Sequence, residues 1–223
     1  MDLDLGGPFK LPLWFDYSAT FVWALSGALI AARRRYDIAG IAALALVSAT
    51  GGGLLRDGIF LQIGPPLFLR SWVYMALVVV ASLAVNLAGS RIQRIPLFDR
   101  TIALVDALGL GGFAITGLQL SLLSGLSPPA AVFVGVVNAV GGGVLRDLLV
   151  RREVTVFVPG PPAALAALAG CLIYLAITLG GLGGALAGTI SVVAVFVIRV
   201  TAIRYGWQTK APAGFEPLDP RET

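Results

Sequence analysis

The sequence predicts an all-α integral membrane protein. Seven transmembrane helices are expected, as two inverted three-helix repeats plus a seventh helix, with the second and fifth helices kinked at glycines. Three observations predict it. The 223-residue chain is 57% hydrophobic and only 13% charged, against about 25% charged in an average soluble domain, and its mean hydropathy is +0.90. One pattern occurs twice inside long apolar segments, as Gly51-Gly52-Gly53-Leu54-Leu55-Arg56-Asp57 and, 90 positions later, as Gly141-Gly142-Gly143-Val144-Leu145-Arg146-Asp147. The basic residues between the apolar segments gather on one side of the implied membrane.

Taken in order, residues 1–13 form an amino-terminal extracytoplasmic segment. Asp2 and Asp4 precede the first span and only Lys10 is basic, the reverse of a signal peptide's basic start, so the first span is expected to be retained. A bilayer-crossing helix needs about 20 apolar residues. Segments that qualify run from Trp14 to Ala32, Ile38 to Ile63, Trp72 to Gly89, Thr101 to Leu123, Pro129 to Val150, Pro161 to Gly180 and Leu182 to Ile198. They divide the chain into repeat 1 (14–90), repeat 2 (91–180), a seventh helix (181–204) and a cytoplasmic tail (205–223). Pro212, Pro217 and Pro220 mark that tail as a short disordered one.

Seven crossings put Arg33, Arg34, Arg35, Arg91, Arg94, Arg100, Arg151, Arg152, Arg199, Arg204 and Lys210 on one side, and Lys10 and Arg70 on the other. Basic residues accumulate in the cytoplasm. The amino terminus is therefore expected outside and the carboxyl terminus inside, in the inner (plasma) membrane of a prokaryote. These arginines are read as topology determinants and lipid headgroup contacts, not as a nucleic-acid surface.

The 90-residue offset, without gaps, also aligns Asp16 with Asp106, Ala24 with Ala114, Gly27 with Gly117 and Val47 with Val137, and pairs Ser26 with Thr116 and Ser48 with Asn138. A three-span unit makes its second copy enter from the opposite side, an arrangement that recurs in transporters. The seventh helix has no counterpart and is expected to pack against the bundle or a neighbouring subunit.

On a helix, Ser48, Gly52 and Arg56 share one face, as do Asn138, Gly142 and Arg146. Each face carries a polar group, bare backbone and a cation. Three glycines in a row cost about 1 kcal/mol each against alanine in a helix. They either let helices pack closely or unwind near mid-membrane, freeing carbonyls toward a polar cavity. Arg56 and Asp57 diverge by about 100° around a helix, as do Arg146 and Asp147. Each arginine is therefore expected to find its partner on another span, with Asp16 and Asp106 as candidates, or to reach an interface by snorkelling. Asp106, opening a Gly-rich span, is the better pathway candidate of the two. Asn86 and Gln119 are read as interhelical hydrogen bonders.

The absence of histidine removes the commonest general base and metal ligand, and Cys171 is the single cysteine. No enzyme, metal site, cofactor or internal disulfide is expected.

The doubled Gly-Gly-Gly-x-x-Arg-Asp motif in the second and fifth of seven spans resembles the prokaryotic TRIC (trimeric intracellular cation) channel family, related to bacterial glycine-transporter-like duplicated-domain membrane proteins. The resemblance covers about Trp14 to Ile198. It implies a homotrimer with one ion path inside each subunit, conducting potassium with some sodium. Carried over by position, Gly51 to Gly53 and Gly141 to Gly143 are the kinks, and Arg56, Asp57, Arg146 and Asp147 the charged groups. Aspartates are expected to neutralise the arginines, leaving carbonyls and groups such as Ser26, Thr116 and Asn138 to contact the ion. Animal members carry a Lys-Glu-Val motif tied to lipid binding. This chain has Arg152-Glu153-Val154, and phosphoinositide regulation is not carried over. A secondary transporter for a small solute such as glycine suits the inverted repeat equally well.

Overall fold

In the computed structural model, the structure describes residues 10, 12–92 and 98–210. All regular elements among them are helices: α1 (Leu13–Arg33), α2 (Ile38–Leu54), continued by a π-helical stretch (Leu55–Leu61), α3 (Leu67–Arg70), α4 (Trp72–Ile92), α5 (Phe98–Leu123), α6 (Pro128–Leu149), α7 (Ala163–Leu179) and α8 (Gly184–Arg204). Each expected span is found as a helix. Five, including the combined Ile38–Leu61, are long and apolar enough to cross a membrane, and two apolar helices, Trp72–Ala88 and Ala163–Leu179, are shorter.

Local chemistry fixes the ends. Asp37 caps α2 by accepting a bond from the Gly40 amide at 2.8 Å, satisfying an amide the first turn cannot. Pro128 opens α6, where a missing N–H costs nothing. Gly125 and Gly181, with φ of +83° and +86°, close the turns after α5 and α7 in a conformation that side chains resist. The short α3, begun after Pro66, has no sequence periodicity and escapes prediction.

Packing forms two groups. The helices α1, α2 and α4 pack together, as do α5, α6 and α7. The first core holds Leu29, Leu44, Val78 and Val85 among small residues. The second is built on Leu110, Ile115, Leu118, Tyr174 and Val195, the last contributed by α8. The groups meet where α2 crosses α6 and where Trp23 lies against Phe113, ring centroids 4.8 Å apart. Gln119 bonds between helices as expected, donating to the Tyr174 hydroxyl at 2.7 Å. Asn86 does not: it is exposed and makes no side-chain hydrogen bond among the described residues.

Two further expectations are corrected. The glycine triplets do not break their helices. Gly51 to Gly53 complete α2, and Gly141 to Gly143 lie inside an unbroken α6. At Gly51, Gly52, Gly141 and Gly142 the space left by the missing side chain is filled by the facing helix, which holds both helices regular. The irregularity falls one step later, in the π-helical stretch carrying Arg56 and Asp57. The tail beyond Arg204 also starts out ordered. The Thr209 amide donates to the Gly160 carbonyl at 3.0 Å, and the Thr209 hydroxyl accepts from the Gly160 amide at 3.3 Å. Residues 211–223 lie outside the described residues, as do Met1 to Phe9 of the amino-terminal segment.

Candidate functional site

The site begins at the crossing of α2 and α6. A Cβ on Gly52 would run into the Asn138 carbonyl oxygen, and one on Gly142 would stand 2.5 Å from the Ser48 carbonyl oxygen. A Cβ on Gly51 would stand 3.0 Å from Leu145 Cδ1, and one on Gly141 2.7 Å from Leu55 Cδ1. These contacts exchange into one another when the copies of the motif are exchanged. Four residues forward on α2 go with four residues back on α6, so the helices cross with opposed chain directions. Only glycine permits backbones this close. The faces Ser48-Gly52-Arg56 and Asn138-Gly142-Arg146 thus lie against each other.

The arginines do not find their partners on other spans. Arg56 Nε and Nη2 donate to Asp57 Oδ1 and Oδ2 at 2.6 and 2.9 Å. Arg146 Nε and Nη2 donate to Asp147 Oδ1 at 3.1 and 3.0 Å. The helical divergence of neighbours applies to their Cβ atoms, and the long arginine stem reaches around it. Neither arginine is exposed enough to snorkel: Arg56 is 7% exposed, and the Arg146 side chain 18%. A buried guanidinium is tolerable only when neutralised nearby, and the adjacent aspartate does this with least ordering of chain.

Around this crossing lies a cavity of about 730 Å³. Ser48, Gly52, Gly53, Arg56, Asp57, Asn138, Gly142, Gly143 and Arg146 line its middle. Asp16, Tyr74 and Phe68 line one end, where the Tyr74 hydroxyl donates to the Asp16 carboxylate. Asp106, Thr155, Pro161 and Arg199 line the other. There Asp106 pairs with Arg199 of α8 at 3.6 Å. The cavity therefore draws on both helix groups and reaches from Leu13 at the start of α1 to Arg199 in the second half of α8. Thr116 also lines it, its hydroxyl donating to the Gly112 carbonyl one turn back at 2.8 Å.

Other expected site residues stand apart from the cavity wall. Ser26 is half-buried on α1, Gly51 and Gly141 are spent on the helix crossing, and Asp147 lies fully buried behind Arg146, also accepting from the Thr155 amide and hydroxyl at 3.1 and 2.8 Å. Arg199 was not expected in the site. Its signal was its place directly after the apolar run ending at Ile198, which puts it on the same helix rather than in a loop.

Comparison with known proteins places this geometry. A family profile described as "Glycine transporter" matches twice, over residues 13–89 and 103–179. The "UPF0126 inner membrane protein YadS" of Escherichia coli K12 is 30% identical over 203 residues, covering 91% of this chain and 95% of that protein. A "UPF0126 membrane protein" of Deinococcus radiodurans is 40% identical over 139 residues, covering 62% of this chain and 63% of that protein. A solved structure bearing on conductance through TRIC cation channels superposes with a TM-score of 0.84 at 25% identity, covering 93% of this chain and all of that one (100%). The TRIC trimeric intracellular cation channel orthologue of Rhodobacter sphaeroides superposes at 0.75 with 28% identity, covering 87% and 97%. The two profile matches, the inner-membrane relatives and the apolar helices identify the chain as a multi-pass inner-membrane protein of the glycine-transporter family, with the fold of the TRIC cation channels.

Proposed function

We propose that the protein is a monovalent cation channel, permeable to potassium, with one ion path inside each subunit of a homotrimer. The observation that carries this reading is the cavity around the α2–α6 crossing, lined by charged groups at both ends and by two internally neutralised arginines between them. A cation passing such a wall meets ion pairs and carbonyl or hydroxyl oxygens rather than bare positive charge. Ser48, Asn138 and Thr116 offer the oxygens, and Asp16 and Asp106 draw cations to the ends. The similarity to TRIC cation channel structures supports the channel and, through the orthologue's description as trimeric, the trimer. In this reading the chain crosses seven times, α1, α2 and α4 forming one repeat and α5, α6 and α7 its inverted copy, with α8 outside the repeat. The loop charges put the amino terminus outside and the carboxyl terminus in the cytoplasm. The protein acts without enzymatic chemistry, among membrane lipids and without nucleic acid.

Reconstitution into planar bilayers tests the reading. Potassium currents that grow with voltage and do not saturate at low millimolar ion are expected. Saturable uptake of a solute such as glycine, with competition and no unitary current, would instead establish the carrier that the family description names. Arg56→Ala and Arg146→Ala should each change conductance, selectivity or gating; if both leave all three as in wild type, the pairs serve packing alone. A single-subunit mass in lipid nanodiscs would rule out the trimer.

A further inference from the structure

We propose that Arg199, on the helix outside the repeat, is a tethered counter-cation. It sits at the acidic site that Asp106 presents to one end of the cavity, and so limits conductance and cation selectivity there. This inference rests on the channel reading above.

Three arginines line the cavity, and they are held in different ways. Arg56 and Arg146 each commit Nε and Nη2 to an adjacent aspartate. The Arg199 side chain is only 9% exposed, yet its guanidinium is poorly matched. Nη1 donates to the Pro161 carbonyl at 3.1 Å, Nε is buried with no hydrogen-bond partner among the described residues, and Nη2 stands 3.6 Å from Asp106 Oδ2. That last distance is an ion pair without a good hydrogen bond. The carbonyl anchors the arginine more closely than the carboxylate does.

Asp106 shows the complementary state. Its side chain is 45% exposed and lines the cavity, so its carboxylate keeps lone pairs open to a passing cation. What offsets its attraction is the neighbouring charge of Arg199. The other pair at this end, Arg146–Asp147, is closed on itself, with Asp147 taken up further by Thr155. Among the described residues lining this end, Asp106 and Arg199 are the charged groups not closed in a pair of adjacent residues. Among the described residues no lysine or arginine bonds to Asp16 at the opposite end, where the partner is the uncharged Tyr74 hydroxyl. A permeating cation and Arg199 thus compete for one carboxylate. Because Arg199 belongs to α8, this control lies outside the duplicated motif.

The experiment is single-channel recording of full-length protein in planar bilayers under a KCl gradient. Arg199→Gln keeps a donor for the Pro161 carbonyl and removes the charge. It should raise unit potassium conductance at least about twofold in 0.1 M salt, where charges act over about 10 Å, and much less in 1 M salt, where they act over about 3 Å. The reversal potential should move toward that of potassium. Arg199→Lys should behave as wild type, and Asp106→Asn should lower conductance at least about twofold in 0.1 M salt. An Arg199→Gln channel indistinguishable from wild type at low salt overturns the inference and leaves the channel reading standing, as does an equal rise in Arg199→Lys. Wild-type protein that passes no potassium current defeats both. Should Arg199→Gln fail to elute as a folded protein, unchanged conductance in Asp106→Asn is the overturning result.

Discussion

The two copies of the motif share three glycines, a leucine, an arginine and an aspartate, and end differently. In the first, the chain passes into a π-helical stretch at Leu55, and among the described residues Asp57 accepts hydrogen bonds only from Arg56. In the second, α6 runs on as a regular helix to Leu149, and Asp147 also takes two bonds from Thr155. Eight residues after Asp57 stands Pro65, which has no N–H or hydroxyl to offer. The polar position before each triplet differs too. Asn138 donates to the Phe113 carbonyl at 2.6 Å and accepts from Arg56 at 3.5 Å, whereas the buried Ser48 hydroxyl has no partner among the described residues. The glycines and the Arg-Asp pair set a shared crossing, and the residues around them decide how firmly each half is held.

Substitutions can break this comparison, and the largest effect is expected at the aspartates. Asp147→Ala strands the Arg146 guanidinium and both Thr155 donors, a loss on the order of 3–5 kcal/mol. Asp57→Ala should cost less, since Arg56 keeps Asn138. Thermal melting in detergent reads both, and equal losses would contradict the proposed asymmetry. Next come the glycines. Gly52→Ala or Gly142→Ala meets a backbone carbonyl that cannot move aside, costing roughly 1–3 kcal/mol. Gly53→Ala and Gly143→Ala meet only the far end of an arginine, at 4.0 and 3.8 Å, and should melt as wild type or slightly higher. The smallest effect separates the polar positions. Asn138→Ala loses two hydrogen bonds and should destabilise by about 1–3 kcal/mol, while Ser48→Ala removes a group with no bond to lose and should be neutral. Destabilisation by Ser48→Ala would show that its hydroxyl has a partner in the membrane-embedded protein.

Most of the fold is legible in the sequence because bilayer spans announce themselves by apolar length. The helix from Ile38 and the one ending at Leu123 lie where the apolar runs put them. The 90-residue register also brought Ser48, Gly52, Asn138 and Gly142 to one crossing. The Arg-Asp pairing was not legible, because the angle between neighbouring Cβ atoms says little about where a flexible four-bond side chain ends. The π-helical stretch has no compositional mark: Leu55 and Leu145 are the same residue in two different backbones. Arg199 looked like a loop charge because hydropathy ends the span at Ile198, while the helix continues to Arg204. Thr155 became visible only once the loop after α6 was seen to fold back on Asp147.

The bare crossing of α2 and α6 has a mechanical consequence. Where Gly52 and Gly142 meet the opposite backbone no side chain separates the helices, and this closest contact acts as a fulcrum. Ile38 and Gly52 are 14 residues apart, a lever arm of about 21 Å at 1.5 Å per residue. A small change in crossing angle would leave Gly52 and Gly142 in place and carry the far ends of both helices through the largest arc.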